Sequence, residues 1–235
     1  MIDVEKKWRN LLDQIVHDGH SHHKDDQPIR EVLSKNFFVS NPLSDKAFVF
    51  SHPSEKFLDW IRQGVFDIED YPLKGEALAD YVASFDSDRH IYLDGPDSFV
   101  YTYPERIRNI DADLARSTDQ FEVMAQRLIE NRGSNRAVAT LYSSRMDGDR
   151  EDIPCLNWMQ FTIRGDRLVL HVVFRSNDIY GAWPSNMYFL TYVGLKMLER
   201  LEERYPSLVF DGIDYHVSSA HIYETDMEMA KKIVE

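Results

Sequence analysis

Nucleophilic cysteine chemistry is the first possibility that the residue types offer. Cys155 is the only cysteine in the chain and follows Pro154 at the start of an apolar stretch. A cysteine acts as a nucleophile when nearby positive charge favours its thiolate and when other groups hold the substrate. Arg175 ends a second apolar stretch that could pair with the first, which would bring its guanidinium to the thiol. A lone cysteine is also commonly a small buried side chain, so both roles stay open at this point.

A polar segment follows the second apolar stretch and contains further candidates. Arg175-Ser176-Asn177-Asp178 stands where a strand is expected to end, and Asn186 follows after an aromatic-rich stretch that contains Trp183. Polar residues at a strand end are typical of turns and helix caps, and each of these residues taken alone fits that role. A role in ligand contact is the alternative for the group as a whole.

The histidine-rich segment is a weaker candidate for chemistry. Residues 17–26 contain His17, His20, His22 and His23 without apolar periodicity, which predicts a solvated loop. Flexible loops rich in His and Asp bind metals weakly, because no strand or helix fixes the geometry of the ligands. We therefore predict no metal site.

The composition limits the class of protein. The chain has 235 residues, with 27 Lys and Arg against 40 Asp and Glu and a formal net charge of −13. Such a surface repels polyanions, so we expect no nucleic-acid partner. No stretch approaches the roughly 20 apolar residues of a membrane span, and the N-terminal residues do not resemble a secretory signal. We therefore expect a cytoplasmic protein that does not associate with a membrane.

Hydrophobic periodicity predicts a mixed α+β fold in one domain that covers residues 1–235. Residues 31–50 contain short apolar runs that predict either strands or an irregular edge. Residues 137–142 predict a strand, and a β-hairpin covers 157–175 with its turn at 164–167. Helical patterns cover residues 8–15, 54–64, 74–85, 121–129, 186–204 and the C-terminal residues. We expect Ser54, Ser117 and Thr225 to begin three of these helices as caps.

Three motifs in the second half of the chain resemble the thymidylate synthase family. They are, in order, Ile153-Pro154-Cys155-Leu156-Asn157-Trp158-Met159-Gln160-Phe161, then Arg175-Ser176-Asn177-Asp178 with Pro184-Ser185-Asn186, and finally His221-Ile222-Tyr223. The segment Tyr101-Thr102-Tyr103-Pro104-Glu105-Arg106 is similar to a further family segment. The chain is most similar to the short, archaeal-type members. The resemblance implies a mixed β-sheet that forms a dimer interface and is flanked by helices.

The resemblance implies a chemical role for the cysteine. In this family a thiolate adds to C6 of a pyrimidine nucleotide, and C5 then attacks a one-carbon unit. Cys155 would be that nucleophile, and 5,10-methylenetetrahydrofolate or a related reduced pterin would supply the carbon. Arg175 would lower the thiol pKa and hold the phosphate of a pyrimidine nucleoside monophosphate, with a further hydrogen bond from Ser176. His221 and Tyr223 would hold the sugar hydroxyl.

The same resemblance implies further contacts and a homodimer. Arg136 matches a family arginine that reaches the phosphate site of the neighbouring subunit. Asp178 and Trp183 would contact the folate. Asn186 would recognise the base, because a carboxamide can accept from N3–H of uracil and donate to O4. Relatives that use cytosine typically carry aspartate at this position.

A carboxylate from the first half is expected to assist proton transfer at the base. Glu76 is our candidate, because the segment that it begins is similar to the glutamate-containing helix of the family. Asp80 and Glu55 remain alternatives. An ordinary exposed carboxylate at a helix start explains Glu76 equally well.

The chain departs from the family pattern at several positions. Asn135 replaces the first of two paired arginines, Leu156 replaces a histidine, and Ala182 replaces a glycine in the loop on the folate side. Only 12 residues follow Tyr223, whereas longer members fold a C-terminal tail over the folate and exclude water. A wetter site favours a hydroxymethyl product, because water then completes the reaction in place of hydride.

These features leave three hypotheses for the function. The first is synthesis of dTMP from dUMP. The second is hydroxymethylation of dUMP, dCMP or CMP. The third is a non-catalytic paralogue that binds nucleotides without turnover.

Overall fold

The computed structural model describes residues 3–42, 52–64, 71, 73–86, 101–110 and 118–235. These residues form eight α-helices and six β-strands. In chain order they are α1 (Asp3–Asp18), β1 (His20–Lys24), β2 (Gln27–Ser40), α2 (Pro53–Arg62), α3 (Gly75–Ala83), α4 (Tyr103–Arg108), α5 (Gln120–Glu130), β3 (Val138–Thr140), α6 (Ser144–Asp147), β4 (Leu156–Arg164), β5 (Arg167–Asp178), α7 (Trp183–Leu201), β6 (Val209–Tyr223) and α8 (Met227–Val234).

All six strands form one mixed sheet in the order β1-β2-β6-β5-β4-β3. β5 and β6 pair in parallel, and the other neighbouring strands are antiparallel. A parallel pair needs a crossover connection, which α7 provides here. This arrangement confirms the predicted mixed α+β fold.

The core lies between one face of the sheet and helices that include α1, α5 and α7. Alternate residues of β5, namely Leu168, Leu170, Val172 and Phe174, are buried as the period of two predicted. α7 is buried along most of its length, because it packs against the sheet on one side and against other helices elsewhere. None of the helices in the described ranges is both long and apolar enough to cross a membrane.

The hairpin predicted for residues 157–175 is present as β4 and β5. Its turn contains Gly165 with a φ of 57°, a left-handed conformation that glycine adopts without strain. Ile163 pairs with Leu168 and Leu156 pairs with Phe174, so the hairpin returns the chain from Arg167 to the neighbourhood of Cys155.

The prediction of a loop for residues 17–26 is wrong. His20–Lys24 is a strand that pairs with β2, and the two-residue turn is made by Asp25 and Asp26 with φ of 49° and 62°. Such a turn matches the twist of a hairpin. β1 is an edge strand with mostly exposed side chains, so it lacks the alternation of apolar residues by which strands are recognised. β2 is likewise one strand of 14 residues rather than several short pieces; residues 43–50 lie outside the described ranges.

The predicted cap at Ser54 is also wrong. The backbone N–H and the hydroxyl of Ser54 both donate to Glu199 of α7, at 2.9 and 2.7 Å. The residue therefore joins two helices instead of capping its own.

The other two predicted caps are Ser117 for α5 and Thr225 for α8. Ser117 lies outside the described residues, and the side chain of Asp119 caps α5 by accepting from the N–H of Glu122. Thr225 does not cap α8, because a short 3₁₀ turn precedes this helix and its N-cap position is Asp226.

Candidate active site

Cys155 and Arg175 lie side by side at the same end of β4 and β5. The N–H of Arg175 donates to the carbonyl of Cys155 over 2.9 Å. The guanidinium donates from Nε to the carbonyl of Pro154 at 3.1 Å and from Nη2 to that of Ile153 at 2.7 Å. These bonds hold the guanidinium against the segment that carries the half-buried thiol. The pairing of β4 with β5 thus brings the two residues together.

Opposing effects act on the thiol of Cys155. Burial raises its pKa and is the largest effect. The positive charges of Arg175 and Lys24 and a hydrogen bond with Tyr101 act in the opposite direction. The thiol therefore stays mostly protonated at neutral pH, with two cations near enough to stabilise the thiolate.

Two tyrosines complete the surroundings of the thiol. Tyr101 donates from its hydroxyl to the carbonyl of Ile153 at 3.2 Å. Burial raises the pKa of Tyr103 well above its ordinary value, and the charge of the nearby Cys155 contributes to the rise. Both phenols therefore keep their protons at neutral pH and can act as hydrogen-bond donors.

A second polar group joins β1, β5 and β6. Lys24 donates from Nζ to the hydroxyl of Tyr223 at 3.0 Å, and the same nitrogen lies 3.3 Å from Nε2 of His221. Nδ1 of His221 lies 3.2 Å from the hydroxyl of Ser176. The pairing of Glu31 in β2 with His221 brings the β1–β2 hairpin to this position.

These contacts decide the tautomer of His221. Burial, with the charges of Lys24 and Arg175, lowers its pKa to about 3, so the ring is neutral at neutral pH. An ammonium can only donate, so Nε2 accepts from Lys24 and the ring hydrogen is on Nδ1. Nδ1–H then donates to the oxygen of Ser176. The hydroxyl hydrogen of Ser176 is thereby left for another acceptor.

Asp178 ends β5 and turns the chain towards α7. Its Oδ1 accepts from the N–H groups of Tyr180 and Gly181, at 3.1 and 3.0 Å. A Cβ at Gly181 would lie 2.5 Å from Oδ2, so a larger residue at this position would displace the carboxylate. Burial raises the pKa of the Asp178 carboxyl above its ordinary value. The carboxylate is thus an acceptor in a largely desolvated position.

Trp183 lies in the core at the first position of α7. It is fully buried, and its ring packs edge-on against Tyr215 with the centroids 5.9 Å apart. Phe37 of β2 contacts the same indole. The ring therefore packs against residues of β2 and β6 inside the core.

Asn186, one turn further along α7, is buried and is held by two other elements. Its Oδ1 accepts from the hydroxyl of Tyr81 in α3 at 3.1 Å, and its Nδ2 donates to Oδ1 of Asn177 at 3.3 Å. Asn177 in turn donates from Nδ2 to the hydroxyl of Tyr215 at 3.1 Å. The carboxamide is therefore positioned directly by α3 and β5, and through Asn177 by β6.

Arg136 is distant from the thiol of its own chain. It is exposed and directly precedes Ala137, whose carbonyl accepts from the N–H of Phe161. Phe161 and Cys155 are six positions apart along an extended strand, which corresponds to about 20 Å. An arginine side chain cannot span that distance, so Arg136 is not brought together with Cys155 within one chain.

Glu76 does not join this group either. It is 67% exposed and pairs with Arg62 of α2 at 3.2 Å. On α3 it lies about 140° around the helix axis from Tyr81, the residue that contacts Asn186. The alternatives Asp80 and Glu55 are also exposed.

Some residues of the site were missed by reasoning from the sequence. Lys24 lies in the histidine-rich segment, and the signal for it would have been the turn-like Asp25-Asp26 pair that follows and leads into a strand. Asn177 lies inside a motif whose neighbours were assigned roles. Tyr81 had no local signal, because its partner Asn186 is 105 positions away.

Comparisons with known proteins show what the whole chain is similar to. The model of the thymidylate synthase family matches residues 6–235. A protein of Methanosarcina acetivorans named "Putative thymidylate synthase" is 33% identical over 208 residues, which cover 88% of this chain and 80% of that protein. A protein of Methanothermobacter marburgensis with the same name is 28% identical over 234 residues, covering 99% and 96% of the two chains.

Proposed function

The chain belongs to the thymidylate synthase family, and we propose that it is a transferase that converts dUMP to dTMP. The one observation on which this rests is that Cys155 and the Arg175 guanidinium lie together near Tyr215, which Asn177 connects to the carboxamide of Asn186. A thiol beside a guanidinium provides a nucleophile, and a buried carboxamide provides a matched donor and acceptor for a uracil edge.

In the proposed reaction the Cys155 thiolate adds to C6 of the pyrimidine. The electrons of the C5–C6 double bond move towards the O4 carbonyl, and C5 becomes nucleophilic. Arg175 and Lys24 stabilise the thiolate against the desolvation that disfavours it. Asn186 donates to O4, where negative charge develops. C5 then bonds to the one-carbon unit and loses its hydrogen as a proton, and elimination of the thiolate restores the C5–C6 double bond and the free enzyme.

A reduced pterin fits the donor and acceptor groups of the site. When bound, 5,10-methylenetetrahydrofolate, or a related reduced pterin, would supply both the one-carbon unit and the hydride that reduces it to a methyl group. The Asp178 carboxylate is half-buried and, when ionised, only accepts hydrogen bonds, which suits the ring N–H and amino groups of a pterin. Trp183 would act on this subsite by holding the loop after Asp178, since its ring is in the core.

The phosphate would be bound by a guanidinium and a hydroxyl. Arg175 carries the charge, and Ser176 donates the hydrogen that its bond with His221 leaves available. Tyr223 and His221 would contact the sugar hydroxyl, next to Lys24. A guanidinium suits a phosphate because its N–H groups can bind two oxygens at once.

The proposed enzyme is a homodimer in which Arg136 serves the partner's phosphate site. This residue cannot reach the thiol of its own chain, whereas an arginine from a second subunit could. The face of the sheet opposite the core carries half-exposed apolar side chains, among them Trp158, Val173 and Phe38. Such a face is suited to pairing with a second copy of itself. The proposed substrates are cytoplasmic metabolites, so we place the activity in the cytoplasm.

Release of the C5 hydrogen tests the proposal. The protein is incubated with dUMP carrying tritium at C5 and with methylenetetrahydrofolate, and both tritium release and product mass are measured. We expect release with a methylated product and dihydrofolate. Cys155→Ala is expected to abolish release, and Arg132→Ala, at an exposed ion pair with Asp166, serves as the matched surface control.

The product distinguishes the proposed reaction from the other hypotheses. A hydroxymethylated nucleotide with tetrahydrofolate would identify a hydroxymethylase. Binding of dUMP without any tritium release would identify a non-catalytic paralogue. Substantial turnover by Cys155→Ala would refute the role of the thiol.

A further inference from the structure

A series of four side chains joined by hydrogen bonds, three of them buried and Tyr81 partly buried, runs through the proposed base site. Tyr81 donates to Asn186, Asn186 donates to Asn177, and Asn177 donates to Tyr215. Asn177 is 2% exposed and Asn186 is 5% exposed. This hydrogen-bond series therefore connects α3, α7, β5 and β6, and each residue in it donates to the next.

The direction of these hydrogen bonds determines which groups of a base Asn186 can recognise. Within the described residues its hydrogen bonds use one lone pair of Oδ1 and one hydrogen of Nδ2. One acceptor site and one donor site remain, which suit N3–H and O4 of uracil. If the carboxamide turned over, oxygen and nitrogen would exchange places. The side chain would then suit the N3 acceptor and the N4 donor of cytosine.

Asn177 opposes this exchange through its own oxygen. If Asn186 alone turned over, its Oδ1 would face Oδ1 of Asn177 at about the present contact of 3.3 Å. Two acceptors would then face each other in a buried position, and both would lose a hydrogen bond. Avoiding that contact requires Asn177 to turn over as well, which would break its bond with Tyr215 or reverse it.

We propose that Asn177 is a positioning residue that fixes the carboxamide orientation of Asn186 and thereby makes the site selective for uracil over cytosine. This inference rests on the proposed function, because it assumes that a pyrimidine nucleotide binds beside Asn186. It assigns a role to the one residue of Arg175-Ser176-Asn177-Asp178 that has no contact with the substrate in the proposed reaction.

The test compares equilibrium binding of dUMP and dCMP to the full-length protein by titration calorimetry. In Asn177→Leu the side chain keeps its approximate size but can neither donate nor accept, so Asn186 can turn over. We expect the ratio of the dCMP Kd to the dUMP Kd to fall roughly tenfold, the effect of about one hydrogen bond. In Asn177→Asp the carboxylate only accepts, so Nδ2 of Asn186 still faces it and the ratio is expected to stay at or above the wild-type value.

The matched control is Asn41→Leu. Asn41 is also buried and donates from Nδ2 to the carbonyl of Phe210 at 2.9 Å. Phe210 and His221 are 11 positions apart on β6, so this control lies about 35 Å from the proposed site. We expect lower stability in Asn41→Leu but an unchanged ratio. If Asn177→Leu does not fold, Tyr215→Phe removes the acceptor of Asn177 while keeping the ring, and a fall of about threefold is expected.

The outcomes separate this inference from the proposed function. Equal loss of affinity for both nucleotides in Asn177→Leu, or in Tyr215→Phe where that variant replaces it, would overturn the role of Asn177 while leaving the proposed function intact. A fall of the same size in Asn177→Asp would also overturn it. Failure of the wild-type protein to bind either nucleotide would overturn the proposed function and, with it, this inference.

Discussion

The thiol of Cys155 illustrates how a single side chain receives its reactivity from its surroundings. Burial disfavours the thiolate, and the charges of Arg175 and Lys24 favour it. Burial is the larger effect, so the resting protein has a thiol rather than a thiolate at neutral pH. Such a balance keeps the only cysteine from reacting with solutes before a substrate is in place.

Alkylation with iodoacetamide measures this balance, because Cys155 is the only cysteine in the chain. Only the thiolate reacts, so the rate should rise about tenfold per pH unit below the pKa of the thiol. We expect the midpoint above the ordinary value of about 8.5. Arg175→Gln removes a stabilising charge and should move the midpoint to still higher pH. A wild-type midpoint below 8 would contradict the dominance of burial, and Cys155→Ala controls for labelling elsewhere.

The choice of base depends on a second single side chain, Asn186. In Asn186→Asp the carboxylate loses the donor for O4 of uracil and can accept from N4 of cytosine. We expect the ratio of dCMP to dUMP turnover, measured as kcat/KM, to rise at least tenfold. An unchanged ratio would exclude Asn186 as the group that recognises the base.

The β1–β2 hairpin is the element that adds a residue to the site that the sequence analysis did not predict. Its first strand carries Lys24 to His221 and Tyr223, which belong to the last strand of the sheet. Because β2 pairs with β6 along most of its length, the hairpin is held firmly although β1 itself is exposed. A segment without apolar periodicity thus completes the sugar and phosphate end of the proposed site.

Lys24→Met tests the contribution of the hairpin. The variant loses the donor that determines the tautomer of His221 and a positive charge near the proposed phosphate. We expect the KM for dUMP to rise about tenfold, with a smaller change in kcat, and Lys24→Arg to recover part of the loss. Lys232→Met, on the exposed face of α8, is the control. Equal KM values in Lys24→Met and the wild type would rule out a role of the hairpin in binding.

At the level of the assembly, each proposed site takes residues from two chains. Cys155 and Arg136 lie at opposite ends of β4, so one subunit cannot use both at one site. The half-exposed apolar residues on the outer face of the sheet are at the place where a second sheet would pack.

Mixing of inactive variants tests this shared site. Cys155→Ala and Arg136→Ala homodimers are each expected to lose most activity. After unfolding and refolding together, half of the dimers should contain one chain of each kind, with one complete site in every such dimer. We expect recovery of about a quarter of the wild-type activity. The double variant Cys155→Ala/Arg136→Ala, refolded with Cys155→Ala, should remain inactive. Failure of the first mixture to recover activity would argue against an Arg136 that acts across subunits.

The amino-acid sequence alone determined the α+β class, the β4–β5 hairpin and the order of the motifs that carry Cys155, Arg175 and Asn186. These features are encoded by neighbouring residues, through alternation, helical periodicity and short motifs. The cap predictions at Ser54 and Thr225 were wrong, because a side chain such as Ser54 can bond to another helix as well as to its own. Glu76 remains a candidate by resemblance, although it lies on the outer surface of α3.

Only the tertiary structure decided which groups surround the motif residues. Lys24 and His221 are 197 positions apart, and Tyr81 and Asn186 are 105 apart. Such contacts depend on strand order and on how α3 and α7 pack, neither of which leaves a periodic pattern in the sequence. The burial that sets the pKa of Cys155 and the hydrogen bonds that orient Asn186 are for this reason properties of the folded chain.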